Sequence, residues 1–388
     1  MSTSISQTTT CSLYVGLDVH KESVTVAVLP DGAASPSECN KLPNDLTTLR
    51  RYFTRLAKQG AIRACYEASG AGYVLQRALT AWGHQCDVIA PSLIPQKPGH
   101  QRKHDRYDAK QLAHLYRSGE LTPVRIPTEA EERVRDLVRC RSTFQRELLR
   151  ARHYVLKFLT RRGLRYRAGK CHWTRAHHSW LEQLTARGVV VAEDQVVFAE
   201  FLGLLRYAQQ RRDALDEQIE ALALRPALAA SVACLSCFRG INTPAGVTLA
   251  TEVVDWRRFA KPSQLMAYWG LVPREDSSAR TERRGPITKA GNSHCRHVLV
   301  QAAWAYRHAP RVGAALARRQ RGQAPAVIAH AWKAQHRLHK LYHRLAARKG
   351  SHIAVVAVAR ELVGFLWAVM QECPVPVERS DAGRAAAA

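Results

Sequence analysis

Two periods alternate along the N-terminal third of the chain. "LYVGLDV" (13–19) is an apolar strand-like run ending on Asp18, and "SVTVAVLP" (23–30) alternates as a second strand, with "DG" at 31–32 supplying a turn. A helical stretch follows at about 44–58. "IRACYE" (62–67) is a short strand ending on Glu67, "GYVLQRALTAWG" (72–83) is helical, and "QCDVIAP" (85–91) is a strand closed by Pro91. Residues 105–118 return to helical spacing through Ala109, Leu112, Ala113 and Leu115, with Gly119 as the stop. Strands alternating with helices predict an α/β sheet domain over 11–127.

After the extended connector "LTPVRIPT" (121–128) the pattern lengthens. Thr128 and Glu131 have capping-box spacing before an Arg-rich helical run to about Thr160, and a second run covers roughly Asp194–Leu224. Between them "RRGLRYRAGKCHWTRAHHSW" is basic, interleaved with aromatics and without regular period. Two long charged helices with a connector predict an antiparallel hairpin arm over 128–225. From 226 to 370 the chain is Ala-rich and mainly helical. There "CFRGINTPAGVTLATEV" (237–253) carries helix–turn–helix-like punctuation at Gly240, Pro244 and Gly246, a turn that often sets backbone amides against a DNA phosphate. The apolar run "HIAVVAVARELVGFLWAVM" (352–370) is broken by Arg360 and Glu361, which predicts a buried helix rather than a membrane span. Residues 371–388 read as a disordered, low-complexity tail.

Composition narrows the partner. The chain has 388 residues, with 58 Lys+Arg against 32 Asp+Glu and a formal charge of +26. Its hydrophobic share of 46% is that of a folded protein, so the charge points to a polyanion, most simply nucleic acid. The charge is also clustered: residues 131–170 hold 13 Lys/Arg against four acids, and between Glu282 and Glu361 there are 16 Lys/Arg and no acid. The start "MSTSISQTTT" has no basic, apolar leader pattern, so a cytoplasmic protein without membrane contact is expected. Ten cysteines form no framework. The Cys234/Cys237 pair and the loose Cys171, His172, His177, His178 group match no complete ligand spacing, and no structural metal is expected.

The candidate chemistry is acidic. Asp18 and Glu67 end predicted strands, while Asp105 and Asp108 share the first turn of a predicted helix, amid Arg102, Lys103, His104, Arg106 and Lys110. One reading makes the latter two capping acids favoured by the helix dipole. The other makes them ligands. In a ribonuclease-H-type sheet the first and fourth strands lie side by side and a later helix crosses their ends. Four carboxylates would then converge and repel unless divalent cations neutralised them. Two such ions can activate one oxygen and stabilise the leaving one in phosphodiester exchange.

"YVGLDVHKESVTVAVL", "CYEASGAGYVLQRAL" and "KHDRYDAKQLAHLYRSGELTPVRIP" resemble the N-terminal domain of the DEDD insertion-sequence transposases of the IS-one-ten and IS-eleven-eleven type. Residues 238–304, from "FRGINTPAGVTLATEV" to "SHCRHVLVQAAW", and "RLAARKGSHIAVVAVARELVGFLW" (344–367) are similar to that family's C-terminal domain. The resemblance implies an RNase H-like, RuvC-like N-terminal domain with Asp18, Glu67, Asp105 and Asp108 as catalytic ligands of Mg²⁺ or Mn²⁺. It implies a coiled-coil arm used in subunit assembly, hence a homodimer or homotetramer, and a mainly α C-terminal transposase domain with a serine nucleophile. Alignment places that serine on Ser278. The family often has Ser-Gly where this chain has Ser278-Ala279, so Ser277 stays open.

A serine hydroxyl needs a base or metal to act. Arg274, Arg280, Arg283, Arg284 and Lys289 flank it and suit a phosphorane and a DNA backbone. "RRGPITKAGNSHCR" (283–296) reads as a phosphate-gripping loop leading into a helix capped by Asn292 or Ser293. The implied partners are donor and target DNA and a guide noncoding (bridge) RNA, on the bacterial nucleoid. Two alternatives stand beside this transposase reading: a Mg²⁺-dependent hydrolytic junction-resolving nuclease using water, and a protein that only binds nucleic acid.

Overall fold

The structure, a computed structural model, describes residues 12–95, 105–169, 171–186, 191–278 and 281–373. Within these, the side chains of 185–186, 276–278 and 281–284 lie outside the described set. Of the predicted tail, 371–388, Gln371 and Glu372 close the last helix, and 374–388 lie outside the described residues. The chain divides into two compact units, Met1–Thr128 and Glu129–Ala388.

The first unit runs β1 (Ser12–Val19), β2 (Ser23–Pro30), β3 (Glu38–Pro43), α1 (Leu46–Leu56), β4 (Ala61–Glu67), α2 (Val74–Ala81), β5 (Gln85–Ile89) and α3 (Asp105–Arg117). The sheet order is β3-β2-β1-β4-β5. The first three strands pair antiparallel, whereas β4 lies parallel to β1 and β5 parallel to β4. Period-two alternation divides β1 between the two faces. Leu13, Val15 and Leu17 share a core with Leu49, Phe53 and Leu56 of α1 and Leu75 and Leu79 of α2.

The other face of β1 receives α3, and Gly16 sets how closely. A Cβ at Gly16 would stand 2.0 Å from the Ala109 carbonyl oxygen and 2.6 Å from the Ala113 nitrogen. Helix and strand backbones therefore meet where all three residues are small. Asp18 lies two residues further along that face, and Asp105 one turn back along the helix. The head of α3 thus reaches the end of β1. Gly16→Ala is expected to cost about 1–3 kcal/mol by overpacking, read as a lower melting temperature, because the atoms it meets are backbone.

β3 was not expected. Its sequence, "ECNKLP", is polar and its side chains are half-buried or exposed, as suits an edge strand. Backbone pairing to β2 places it, and this register brings Lys41 opposite Thr25, which is itself opposite Asp18.

The second unit begins with the arm. α4 (Glu129–Arg161) and α6 (Ala192–Ala223) pack antiparallel, and α5 (Arg175–Ala186) lies between them in sequence. Phe158 stacks on Phe198 with ring centroids 5.6 Å apart, and the Arg162–Asp194 and Arg141–Asp216 ion pairs bracket this core. α5 falls mostly where no period was seen. Thr174 opens it, accepting from His177 N–H through Oγ1 (3.3 Å) and from His178 N–H through its carbonyl (3.0 Å). His177 is fully buried among the rings of Tyr166, His172, Trp173 and Trp180. Burial, with His172 and His178 alongside, pushes its pKa down to about 4. This is an aromatic plug with a neutral imidazole at its centre.

The remainder comprises α7 (Pro226–Ser236), α8 (Thr243–Val253), α9 (Pro262–Tyr268), β6 (Pro273–Ser278), β7 (Thr281–Ile287), α10 (Ser293–Ala303), α11 (Ala314–Gln320), α12 (Pro325–Lys349) and α13 (Ser351–Glu372). α13 is long and apolar enough to cross a membrane, but its residues from Ala354 to Met370 help form the unit's main core. The turn before α8 has a packing role. Gly240 has φ +86° and a Cβ there would meet the Ala302 carbonyl oxygen at 2.4 Å, so the turn is pressed against α10. Pro244, Gly246 and the residues through Val253 are buried. This helix pair serves the core from Pro244 onward, while Gly240 and Asn242 in the turn remain exposed.

Candidate active site: an acid cluster and a polar hairpin

At the end of β1, Asp18 is 21% exposed at its side chain, and His20 follows it into the turn to β2. His20 Nε2 lies 3.2 Å from Asp18 Oδ2 and 3.7 Å from Asp105 Oδ1. Lys41 Nζ donates to Asp105 Oδ2 at 3.0 Å. Asp18, His20 and Asp105 offer ligand atoms all within 4.8 Å of one another, and this is the single grouping of that kind among the described residues.

The neighbouring carboxyls are tuned in opposite directions. Burial foremost, reinforced by Asp105 and Asp108 and opposed by His20, raises the Asp18 pKa. The Lys41 hydrogen bond foremost lowers that of Asp105, against some desolvation and with help from His20. Asp108 sits in the first turn of α3 beside Asp105 and bears on Asp18 electrostatically. Glu67 is the exposed last residue of β4, one step beyond the Leu17–Tyr66 pair, and so in line with Asp18 on the adjacent strand. It stands outside the 4.8 Å group.

The donor set suits a hard divalent cation: carboxylate oxygens predominate, with one imidazole. Thr25 adds an oxygen close by. Its hydroxyl is buried without a protein partner, directly opposite Asp18 in register, where Cβ atoms stand about 4.5–5.5 Å apart.

His20 and Lys41 were missed by sequence reasoning. The Asp-Val-His spacing was a usable signal for His20, because residues two apart on a strand share a face. Lys41 had none, since its strand was invisible.

The predicted serine lies in the second unit, on a two-stranded hairpin. Ser278 ends β6 opposite Thr281, and Ser277 pairs with Glu282. Arg280 lies outside the described residues, as do the side chains of Ser277, Ser278, Arg283 and Arg284. Arg274 on β6 and Lys289 beyond β7 are exposed.

The foot of the hairpin is tightly strapped. Thr288 N–H donates to Val272 O (2.9 Å), Lys289 N–H to Gly270 O (3.1 Å) and Asn292 N–H to Tyr268 O (3.0 Å). Gly270 and Gly291, both at positive φ, let these strands of chain meet, since a Cβ on either would lie 2.1 Å from a facing carbonyl oxygen. Of the two expected caps, Asn292 opens α10, accepting from Cys295 N–H at 3.0 Å.

A transposase profile of the DEDD IS110 type matches residues 15–162, spanning all four acids. A profile of the transposase IS116/IS110/IS902 family matches residues 232–317, spanning the hairpin. The chain is 40% identical over 367 residues to y4qE, a Sinorhizobium fredii protein named as a transposase, covering 92% of this chain and 88% of that one. It is 28% identical over 344 residues to the transposase for insertion sequence element IS1533 of Leptospira borgpetersenii, covering 87% and 97%. With the transposase for insertion sequence element IS1328 of Yersinia enterocolitica it shares 26% over 271 residues, covering 67% and 77%.

Proposed function

The chain belongs to the IS116/IS110/IS902 family of transposases, DNA-processing enzymes, and we propose that it cleaves and exchanges strands using the acids of its first unit and a serine of its second. The first unit is read as an RNase H-like, RuvC-like catalytic domain. The observation that carries this reading is the meeting of Asp18 and Asp105, made by the close seating of α3 on Gly16. Capping a helix does not require an aspartate at the end of a strand packed beneath it.

Asp18, Glu67, Asp105 and Asp108 are the residues to hold divalent ions, Mg²⁺ or Mn²⁺, which supply Lewis-acid stabilisation of charge on phosphate oxygens. Burial disfavours the charge on Asp18 and raises its pKa, and a bound cation would offset that cost. Lys41 holds Asp105 in place and keeps it ionised. His20 bridges the two aspartates, spreading their charge. On the hairpin, Ser278 is the nucleophile: its oxygen bonds to phosphorus as the bridging oxygen of the scissile ester departs, and the hydroxyl proton that serine loses is taken up by that departing oxygen as the DNA hydroxyl. Arg274, Arg280, Arg283, Arg284 and Lys289 neutralise the phosphate.

Donor and target DNA are the substrates, with an element-encoded noncoding RNA as guide. The exposed Val197, Leu204 and Tyr207, spaced along one side of α6, support self-association of the arm into a dimer or tetramer.

The test uses purified protein, its element's RNA, labelled junction DNA and Mg²⁺. A denaturing gel is expected to show a protein–DNA adduct mapping to Ser278, retained in Ser277→Ala and absent in Ser278→Ala and Asp105→Ala. Cleavage without any adduct would assign the chemistry to water and the protein to the hydrolytic nucleases.

A further inference from the structure

Glu252 is a buried carboxylate that the chemistry above does not use. Its side chain is 1% exposed, near the C-terminal end of α8. Arg139 of α4 grips it with both arms of the guanidinium, Nε to Oε1 at 2.8 Å and Nη2 to Oε2 at 3.0 Å. Arg135, one turn earlier on α4, brings Nε to 3.6 Å from Oε2 and donates Nη2 to the Thr251 carbonyl at 3.3 Å. Asn292 Nδ2 donates to the same Oε2 at 2.7 Å. Burial alone would raise the Glu252 pKa, but Arg139, Asn292 and Arg135 outweigh it and lower the carboxyl below its usual range.

Asn292 is the hinge of this arrangement. Its Oδ1 caps α10, its backbone N–H ties to Tyr268, and its Nδ2 reaches Glu252. It ends the loop that leaves the serine-bearing hairpin. Two non-glycine residues at positive φ lie in the same network: Val254, at φ +61° two positions after Glu252, and Lys289, at φ +56° between β7 and Asn292. Left-handed backbone at a β-branched residue is strained, and such strain persists only where the surroundings over-determine it. A core needing stability alone would be served as well by apolar side chains as by this ion cluster, whose best-attested use is to fix register.

We infer that Glu252 is a positioning residue for strand exchange: through Asn292 it fixes the foot of the hairpin carrying Ser278, and through Arg135 and Arg139 it fixes that foot to the base of α4. The inference rests on the hairpin being the reacting element. It gives the first turns of α4 a part in the chemistry without contact with DNA.

The deciding variant is Asn292→Ser. Serine remains a good helix cap, but its shorter side chain cannot also reach Glu252. With the full-length protein, its RNA and saturating junction DNA, kcat is expected to fall about 10- to 100-fold, as misplacement of a reacting group does. KM for DNA should stay at its wild-type value and the protein should remain folded at the assay temperature, with only the modest fall in melting temperature that losing one hydrogen bond to a buried charge brings. A wild-type kcat would overturn the inference. So would a loss of kcat that follows a lower melting temperature and recovers on cooling, because that is a stability effect. Mapping the adduct in the same samples separates the two readings: its absence from the wild type defeats the serine assignment and this inference with it, whereas an adduct at Ser278 beside a wild-type kcat in Asn292→Ser defeats the inference alone.

Discussion

Asp18→Asn is expected to lower the rate of strand cleavage about a thousandfold, several kcal/mol of transition-state stabilisation, while the protein becomes no less stable. The amide preserves shape and a hydrogen bond toward His20, and it removes the charge. That charge is disfavoured by the fold, since burial, Asp105 and Asp108 raise the Asp18 pKa. For a carboxyl whose folded pKa is raised, the ionised form destabilises the native state at every pH above that pKa. Neutralising it therefore keeps or increases the melting temperature near neutrality. Single-turnover cleavage at saturating DNA and a thermal melt measure the two halves. Cleavage within tenfold of wild type would remove Asp18 from the reacting set. Most damaging substitutions lose activity and stability together, so opposed signs identify a group held for chemistry.

The largest stability effect is expected at Glu252. Glu252→Gln leaves the half-buried guanidiniums of Arg135 and Arg139 facing a neutral amide, and removing one partner of a buried pair costs about 3–5 kcal/mol, the lower end applying here because Arg139 is 41% exposed. For a unit of this size the melting temperature should drop by roughly 6–20 °C. The pH dependence is distinctive. The folded carboxyl is lowered from an ordinary value of 4.5. Its stabilisation is complete above that unfolded value and fades as pH falls through the lower, folded one. Glu252→Gln has no such group to titrate, so its melting curve and that of the wild type should converge in acid. Parallel curves down to pH ~3 would mean that the carboxylate contributes no linkage of the kind buried ion pairs show.

Legibility in the sequence follows the strength of the local period. β1, β2, β4 and β5, and the long helices α4 and α6, each carry enough apolar spacing to be read at close to their observed bounds. The approach of Asp18 to Asp105 was legible for the same reason, one ending a clear strand and the other opening a clear helix. β3 and the β6–β7 hairpin were not, because both are polar and are defined by ladders to partner strands rather than by a buried face. Lys41 went unseen with β3. Glu252 was hidden differently. In "TLATEVV" it reads as the polar position of an apolar helix, and its burial depends on Arg135 and Arg139, more than a hundred residues earlier. Only a contact between distant segments makes that acid informative.

The bare backbone contact at Gly16 allows one arrangement only, and the grip on Glu252 has a comparable mechanical meaning for the arm. α4 contains neither glycine nor proline, the residues at which helices most often kink. From Arg139 to Arg161 it extends 22 residues, about 33 Å at 1.5 Å per residue. A pivot of about 5° at the Glu252 end would sweep the far end through about 3 Å by this length, the width of a hydrogen bond. α4 is thus a lever, its short end held by a carboxylate that also reaches the foot of the serine hairpin. A displacement at the tip of the arm would then reach that foot as a small rotation.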